Sequence, residues 1–154
     1  MARKRFGIEF KGFQELFEEL GKVGGDINHI AEECLEIVPD IINPKLEADI
    51  KKHHRSGQTE KSLAKNQHVE WSGTMAKMPV GFKISDGGLA SIFLMYGTAR
   101  HAPANQYGKA SGVNNGMQAD KKLFDDIYGA NVKKQINSKQ KEIVVKEITK
   151  RMGG

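Results

Sequence analysis

Cysteine is all but missing from this chain: Cys34 is the only one among 154 residues. A lone thiol excludes an intramolecular disulfide and suits a protein made in a reducing cytosol. No apolar run approaches the ~20 residues of a membrane-spanning helix. The basic opening Met1-Ala2-Arg3-Lys4-Arg5-Phe6 leads into Gly7-Ile8-Glu9 instead of an apolar stretch, so it does not read as a secretory signal. Aromatics make up only 7% of the chain, and they do not alternate with basic residues as a base-stacking platform requires. An arginine-rich arm is missing as well.

Catalytic and metal motifs are equally scarce. The histidines His29, His53, His54, His68 and His101 show no HExxH or His-x-x-x-His spacing, and no CxxC occurs. His53 and His54 are adjacent, so on a helix they diverge and do not easily face one ion. Surface or helix-end histidines are the expectation. Asp125 and Asp126 are neighbours, as are Glu32 and Glu33, so each pair diverges and forms no acid–base couple. Gly24-Gly25 and Gly87-Gly88 lack the lysine and hydroxyl residue of a phosphate loop. Cys34 falls in an apolar stripe, where cysteine acts as a small buried hydrophobe. No catalytic, cofactor or metal residues are expected, and no enzyme.

What the chain does have is positive charge, a formal +5, which raises nucleic acid or another acidic surface as a partner. Its lysines crowd the end of the sequence at Lys133, Lys134, Lys139, Lys141, Lys146 and Lys150, interleaved with apolar residues at helical spacing. That is the pattern of a solvated helix face. A nucleic-acid-binding module using this helix and Arg3-Lys4-Arg5 is the competing class, and a small hydrolase without a visible site is a more remote one.

The length favours a single domain over 1–154 with room for a core. Gly7–Phe10 reads as a short strand and Phe13–Leu20 as a helix stopped by Gly21. Asp26 or Asn28 caps a long helix to about His53, with the stripe Ile27, Ile30, Ala31, Cys34, Leu35 and Val38 continued by Ile41, Ile42, Leu46 and Ile50. Pro39 and Pro44 predict distortion or a break within it. Three strands follow: Ser62–Trp71, Pro79–Ser85 and Ala90–Tyr96, the last two joined as a hairpin by Asp86-Gly87-Gly88. Trp71 is expected in sheet packing beside Val69. A long Gly/Asn-rich loop spans about 100–117. Leu123, Phe124, Ile127 and Tyr128 form a helical patch ending at Gly129. Asn131 caps a final helix with the stripe Val132, Ile136, Ile143, Val144 and Ile148, frayed at 152–154. The fold class is α+β: an antiparallel or mixed sheet of about four strands packed on the long kinked helix and the C-terminal helix.

The segment Tyr96-Gly97-Thr98-Ala99-Arg100-His101-Ala102-Pro103-Ala104 closes the third strand. Gly97 suits a tight turn and Pro103 cannot continue a ladder, leaving a positively charged corner. Tyr107, among small polar residues, is either an interface contact or a cover over the domain edge. Tyr-Gly-Thr, then a basic residue, then Pro-Ala resembles the signature of a family of small siphophage and prophage proteins. These are encoded among head and tail assembly genes and described as tail components, tail-completion or head–tail joining proteins. A second window, Arg55-Ser56-Gly57 with Ser62-Leu63, is similar to the family's basic-Thr-Gly-x-Leu-x-x-Ser-Ile segment, which sits between a long helix and the sheet. Ser56 stands for Thr and Leu63 for Ile, while Thr59 departs at the Leu position. Phe10-Lys11-Gly12-Phe13 is similar to the family's opening, a strand leading into a helix.

The resemblance implies a non-catalytic virion protein of the neck or tail end, made in the host cytoplasm. It implies a homo-oligomeric ring, expected to be hexameric, stacked between the connector and the tail tube. Tyr96, Gly97, Thr98, Arg100, His101, Pro103 and Tyr107 are then the expected contacts to a subunit or neck partner. Arg100, His101 and Lys109 would face a neighbour's acidic patch or DNA in the lumen.

Overall fold

The apolar stripe of the first half folds as one continuous element. Helix α1 spans Ile27–Ile50, and the Asp26 carboxylate caps it by accepting the N–H groups of Asn28 and His29, both at 3.1 Å. Its buried positions Ile30, Cys34, Val38, Ile42, Leu46 and Ile50 recur every fourth residue, the spacing that keeps side chains on one helical face. Pro39 and Pro44 lie inside it without interrupting the helix. Lacking an N–H, they leave the carbonyls of Leu35 and Asp40 without their usual intrahelical donors. A 3-10 turn, Lys51–His53, carries the helix to His54. This computed structural model describes residues 18, 21–22, 26–65, 67–73, 75–99 and 116–153.

Contacts divide the chain into two compact units, one of Met1–Ile41, Gln67–Pro79 and Ala130–Gly154, the other of Ile42–Asn66 and Val80–Gly129. Segments of the two units alternate along the chain. The boundary inside α1 falls between Pro39 and Pro44.

The first unit contains a two-stranded antiparallel hairpin, β1 (Glu70–Ser72) and β2 (Met75–Lys77), with Trp71 opposite Ala76. Helix α5, Ala130–Met152, supplies buried Val132, Ile136, Gln140 and Val144. Ile30, Cys34 and Val144 form an apolar cluster flanked by Ile143 and Ile148. The stripe expected for the last helix is present, with one addition: Gln140 is fully buried within it. Its Nε2 donates to the Cys34 carbonyl at 2.6 Å, and the Cys34 thiol donates to the Gln140 carbonyl at 3.7 Å. Asn131 is no cap, because the helix already begins at Ala130. At the far end Met152 is still helical and the Gly153 N–H bonds to the Thr149 carbonyl. Glu18, Gly21 and Lys22 are helical, so Gly21 does not stop the early helix; the expected strand Gly7–Phe10 and most of Phe13–Leu20 lie outside the described residues.

The second unit is helical where strands were expected. After the short helix α2 (Gln58–Lys61), Leu63 and Phe82 form an isolated antiparallel bridge. It is held by Ala64 N–H to the Gly81 carbonyl and Lys83 N–H to the Ser62 carbonyl, both at 2.8 Å. Ile84–Asp86 is a 3-10 turn, α3 is Leu89–Tyr96 and α4 is Lys121–Tyr128. Four strands are therefore not formed: among the described residues the ladder is the small hairpin at Glu70–Lys77, and the class is α+β only in a mainly helical sense.

The errors have physical causes. Ala90–Tyr96 is apolar on both faces, which hid its period. Burial picks out Ser91, Leu94 and Met95, an i, i+3, i+4 set that only a helix brings together. Ser91 broke the apolar signal because its hydroxyl is satisfied locally, donating to the Gly88 carbonyl at 2.6 Å. Asp86-Gly87-Gly88 consequently links a 3-10 turn to a helix, not strand to strand. Ser62–Trp71 yields only the bridge at Leu63 and the start of β1. Trp71 is 38% exposed instead of packed into a sheet, and its indole N–H donates to Glu32 Oε1 at 2.6 Å.

Candidate functional site

The second unit carries the chemistry of interest, and Asp120 organises it. Its backbone N–H bonds to the Leu94 carbonyl at 2.7 Å, fixing it to α3. Its Oδ1 accepts from the Lys122 and Leu123 N–H groups, capping α4. Its Oδ2 lies 2.7 Å from His53 Nε2, at the end of the 3-10 turn after α1. The His53 hydrogen bond, supported by those two backbone donors, holds the Asp120 carboxyl below the usual range against the opposing effect of burial.

A second ionic group lies beside it. Asp49, with a side chain only 2% exposed, receives Lys122 Nζ at 2.6 Å and Lys52 Nζ at 2.8 Å. Burial raises its carboxyl, but hydrogen bonds from Asp126, Lys122 and Lys52 outweigh burial and hold it well below the carboxylate range. Asp126 moves the other way, raised by burial and then by its hydrogen bond to Asp49. The two carboxyls are pushed apart because neighbouring carboxylates shielded from water resist ionising together.

The two windows that carry the family resemblance meet on one surface. Arg55, Ser56 and Gly57 from the first and Thr98 from the second line a cleft of about 770 Å³, together with His53, His54, Gln58, Ala90, Phe93 and Met117. Gly57 sits at φ 72°, the left-handed region that favours glycine, and turns the chain into α2. Ser62 and Leu63 are buried at 1% and 5% exposure, with the Ser62 hydroxyl donating to the Thr59 carbonyl at 2.6 Å. His54 Nδ1 lies 2.6 Å from Glu60 Oε1.

Gly97 terminates α3 at φ 73°, its N–H bonded to the Phe93 carbonyl at 2.8 Å. A Cβ there would lie 2.6 Å from the Met117 carbonyl oxygen and 2.9 Å from the Ala119 nitrogen. That close approach is the backbone role expected of it, although it follows a helix instead of a strand. Thr98 then pairs with Met117 as an isolated bridge, reinforced by Met117 N–H donating to Thr98 Oγ1 at 2.8 Å. The end of the expected 100–117 loop is thus tied down at Gly116–Met117. Tyr96 is exposed and meets Phe124 edge-on at 5.6 Å, and Phe124 contacts Tyr128 at 5.1 Å. Arg100, His101, Pro103, Tyr107 and Lys109 lie outside the described residues.

Sequence reasoning missed Phe93, Met117 and the pairing roles of His53, His54 and Asp120. One signal was available: Lys51-Lys52-His53-His54-Arg55 is an unbroken run of basic-type side chains, all exposed. Cations at a helix C-terminus also complement its dipole. His29 and His68 are exposed as well, and among the described residues no cluster of three or more His, Cys, Asp or Glu side chains suits a metal ion. Cys34 is buried, and burial, followed by the Glu33 charge, pushes its thiol up to about 11. Among the described residues no helix is long and apolar enough to cross a membrane. Comparison of the chain with protein-family models, with curated proteins and with solved structures finds no match to any of them.

Proposed function

We propose that this protein is a non-catalytic phage assembly protein of the head–tail interface or tail end. It acts in tail completion or head–tail joining as a homo-oligomeric ring, hexameric by the family resemblance, between connector and tail-tube proteins in the virion. The observation that carries the reading is the convergence of the two resembling windows, Arg55–Gly57 and Thr98, on one cleft. Residues far apart in sequence that line one surface have a common role more readily than two isolated turns. A ring requires a heterologous, closing interface, and exposed Tyr96 at the edge of α3 is an aromatic of the kind that anchors interfaces.

The competing nucleic-acid reading draws on the +5 charge. Against it, the α5 lysines do not form one stripe. At roughly 100° per residue, Lys134 and Lys141 fall to one side of the buried positions and Lys139, Lys146 and Lys150 to the other. Lys139 pairs with Glu142 at 2.9 Å and Lys150 approaches Glu147 at 3.8 Å. Duplex binding is therefore expected to be weak, sequence-independent and lost with added salt. The deciding experiment is deletion of the gene from its phage or prophage and electron microscopy of the lysate. Separated heads and tails, or unfinished tails, restored by the gene in trans, are the expected result. Normal particles together with tight, salt-resistant DNA binding would replace this reading with the nucleic-acid one.

A further inference from the structure

The cleft in the second unit has two chemistries in one place. Its apolar wall is unusually open to solvent: Phe93 is 46% exposed and Met117 38%, with Ala90 between them and the helix start. Leu89, Phe93 and Tyr96 stand at i, i+4 and i+7 along α3, exposed at 51%, 46% and 63%, so the apolar wall continues as a helix stripe. The lining also carries the basic-type run Lys52, His53, His54 and Arg55, with Glu60 its one carboxylate among the described residues. Glu60 is already engaged by His54. Lys52 is tied to Asp49, which Lys122 also neutralises. His53 is engaged by Asp120, so Arg55 is the rim's charge with no ion pair among the described residues, and it stands next to unburied apolar surface.

From this juxtaposition we infer that the cleft is a docking site for a protein segment in which an apolar side chain is flanked by carboxylates. The identity of the partner as a neck or tail component rests on the proposed assembly role; the chemistry of the cleft does not. The apolar side chain covers Phe93, Ala90 and Met117, and the carboxylates face Arg55 and Lys52. Nucleic acid is the poorer fit, since a duplex presents phosphates to the rim but nothing apolar to cover Phe93 and Met117. The volume is in the range of sites that hold a few side chains. The arrangement also explains the Thr98–Met117 bridge: it fixes Met117 at the cleft edge by two hydrogen bonds from and to the backbone.

The test is fluorescence anisotropy on the full chain with four labelled probes. These are an acidic-apolar peptide (EDLFEDLE), its acidic counterpart without apolar residues (EDSGEDSE), a basic-apolar peptide (KKLFKKLK) and a short DNA duplex. The first probe is expected to bind best, by at least tenfold over each of the others at physiological salt. Arg55→Glu and Phe93→Ser should each weaken it at least tenfold while melting by circular dichroism stays within a few degrees of the native chain. Failure of the first probe to bind, binding unchanged in both variants, or preference for the duplex would each overturn the inference. Complementation of the gene-deleted phage separates the two readings. Variants that lose the peptide yet complement fully would refute the assembly role and leave the cleft intact. Loss of complementation with peptide binding retained would refute the cleft as the docking site.

Discussion

Helix α1 is held by different chemistry in its two parts. Up to Ile41 its buried residues meet a neutral environment: Ile30 and Cys34 cluster with Val144, and the polar contact is the amide of Gln140 on the Cys34 carbonyl. From Ile42 onward the same stripe is apolar, but it is flanked by charge, Asp49 with Lys122, Lys52 and Asp126, then His53 with Asp120. Neutral packing makes the first unit indifferent to pH apart from surface groups. Ionic pairing makes the second unit responsive to pH, and two side chains of those pairs, Lys52 and His53, also line the cleft. The unit bearing the candidate site is thus the one with a buried carboxylate, Asp49, whose shift is held by ion pairs.

Substitutions in the second unit disturb its packing, turns and ion pairs to different degrees. Leu123→Ala, at a fully buried position of α4, is expected to cost about 2–5 kcal/mol by denaturant unfolding. Gly97→Ala follows at about 1–3 kcal/mol for an unfavourable backbone region, worsened by the close Met117 carbonyl; an unchanged melting temperature would remove its backbone role. Asp120→Ala loses the α4 cap, about 0.5–2 kcal/mol, together with the His53 contact.

The sharpest contrast is in pH dependence. The lowered Asp49 and Asp120 carboxyls contribute stability above their unfolded values, about 3.9, and lose it as pH falls through their folded values. The raised Asp126 carboxyl has the opposite sign: its contribution is complete below its unfolded value and is lost as pH rises through its folded value. Asp126→Asn removes the raised carboxyl, so the variant should lose less stability than the native chain as pH rises from about 4 to about 8. An unchanged pH profile of the melting temperature would show that Asp126 does not contribute to it. Gln140→Leu, in the neutral unit, loses the buried hydrogen bond to the Cys34 carbonyl and should cost about 0.5–1.5 kcal/mol, equally at both pH values.

Much of the helical frame was legible in the sequence. The stripe from Ile30 to Ile50, the Asp26 cap, the α4 patch ending at Gly129 and the α5 stripe all follow from spacing that local physics enforces. The strands were not legible, because Val80 to Ile84 alternates like a strand while Gly81 at φ 94° turns the backbone away after a single bridge. The α3 run conceals its period by being apolar on both faces, and that excess is what exposes Phe93 and Tyr96. For the site, the two resembling windows located Arg55, Gly57 and Thr98, but only the fold brings them to one cleft. Asp120 was invisible because its partners, His53 and the Leu94 carbonyl, are distant in the chain.

The central claim is that the cleft serves a partner and not the fold. Arg55→Glu tests it most directly, since Arg55 is exposed and lines the cleft. The variant should melt within about 1–2 °C of the native chain, as expected for a surface change worth under ~0.5 kcal/mol, yet fail to restore joined, infectious particles to the gene-deleted phage. Full restoration of particles by Arg55→Glu, or a collapse of its melting temperature, would contradict the account.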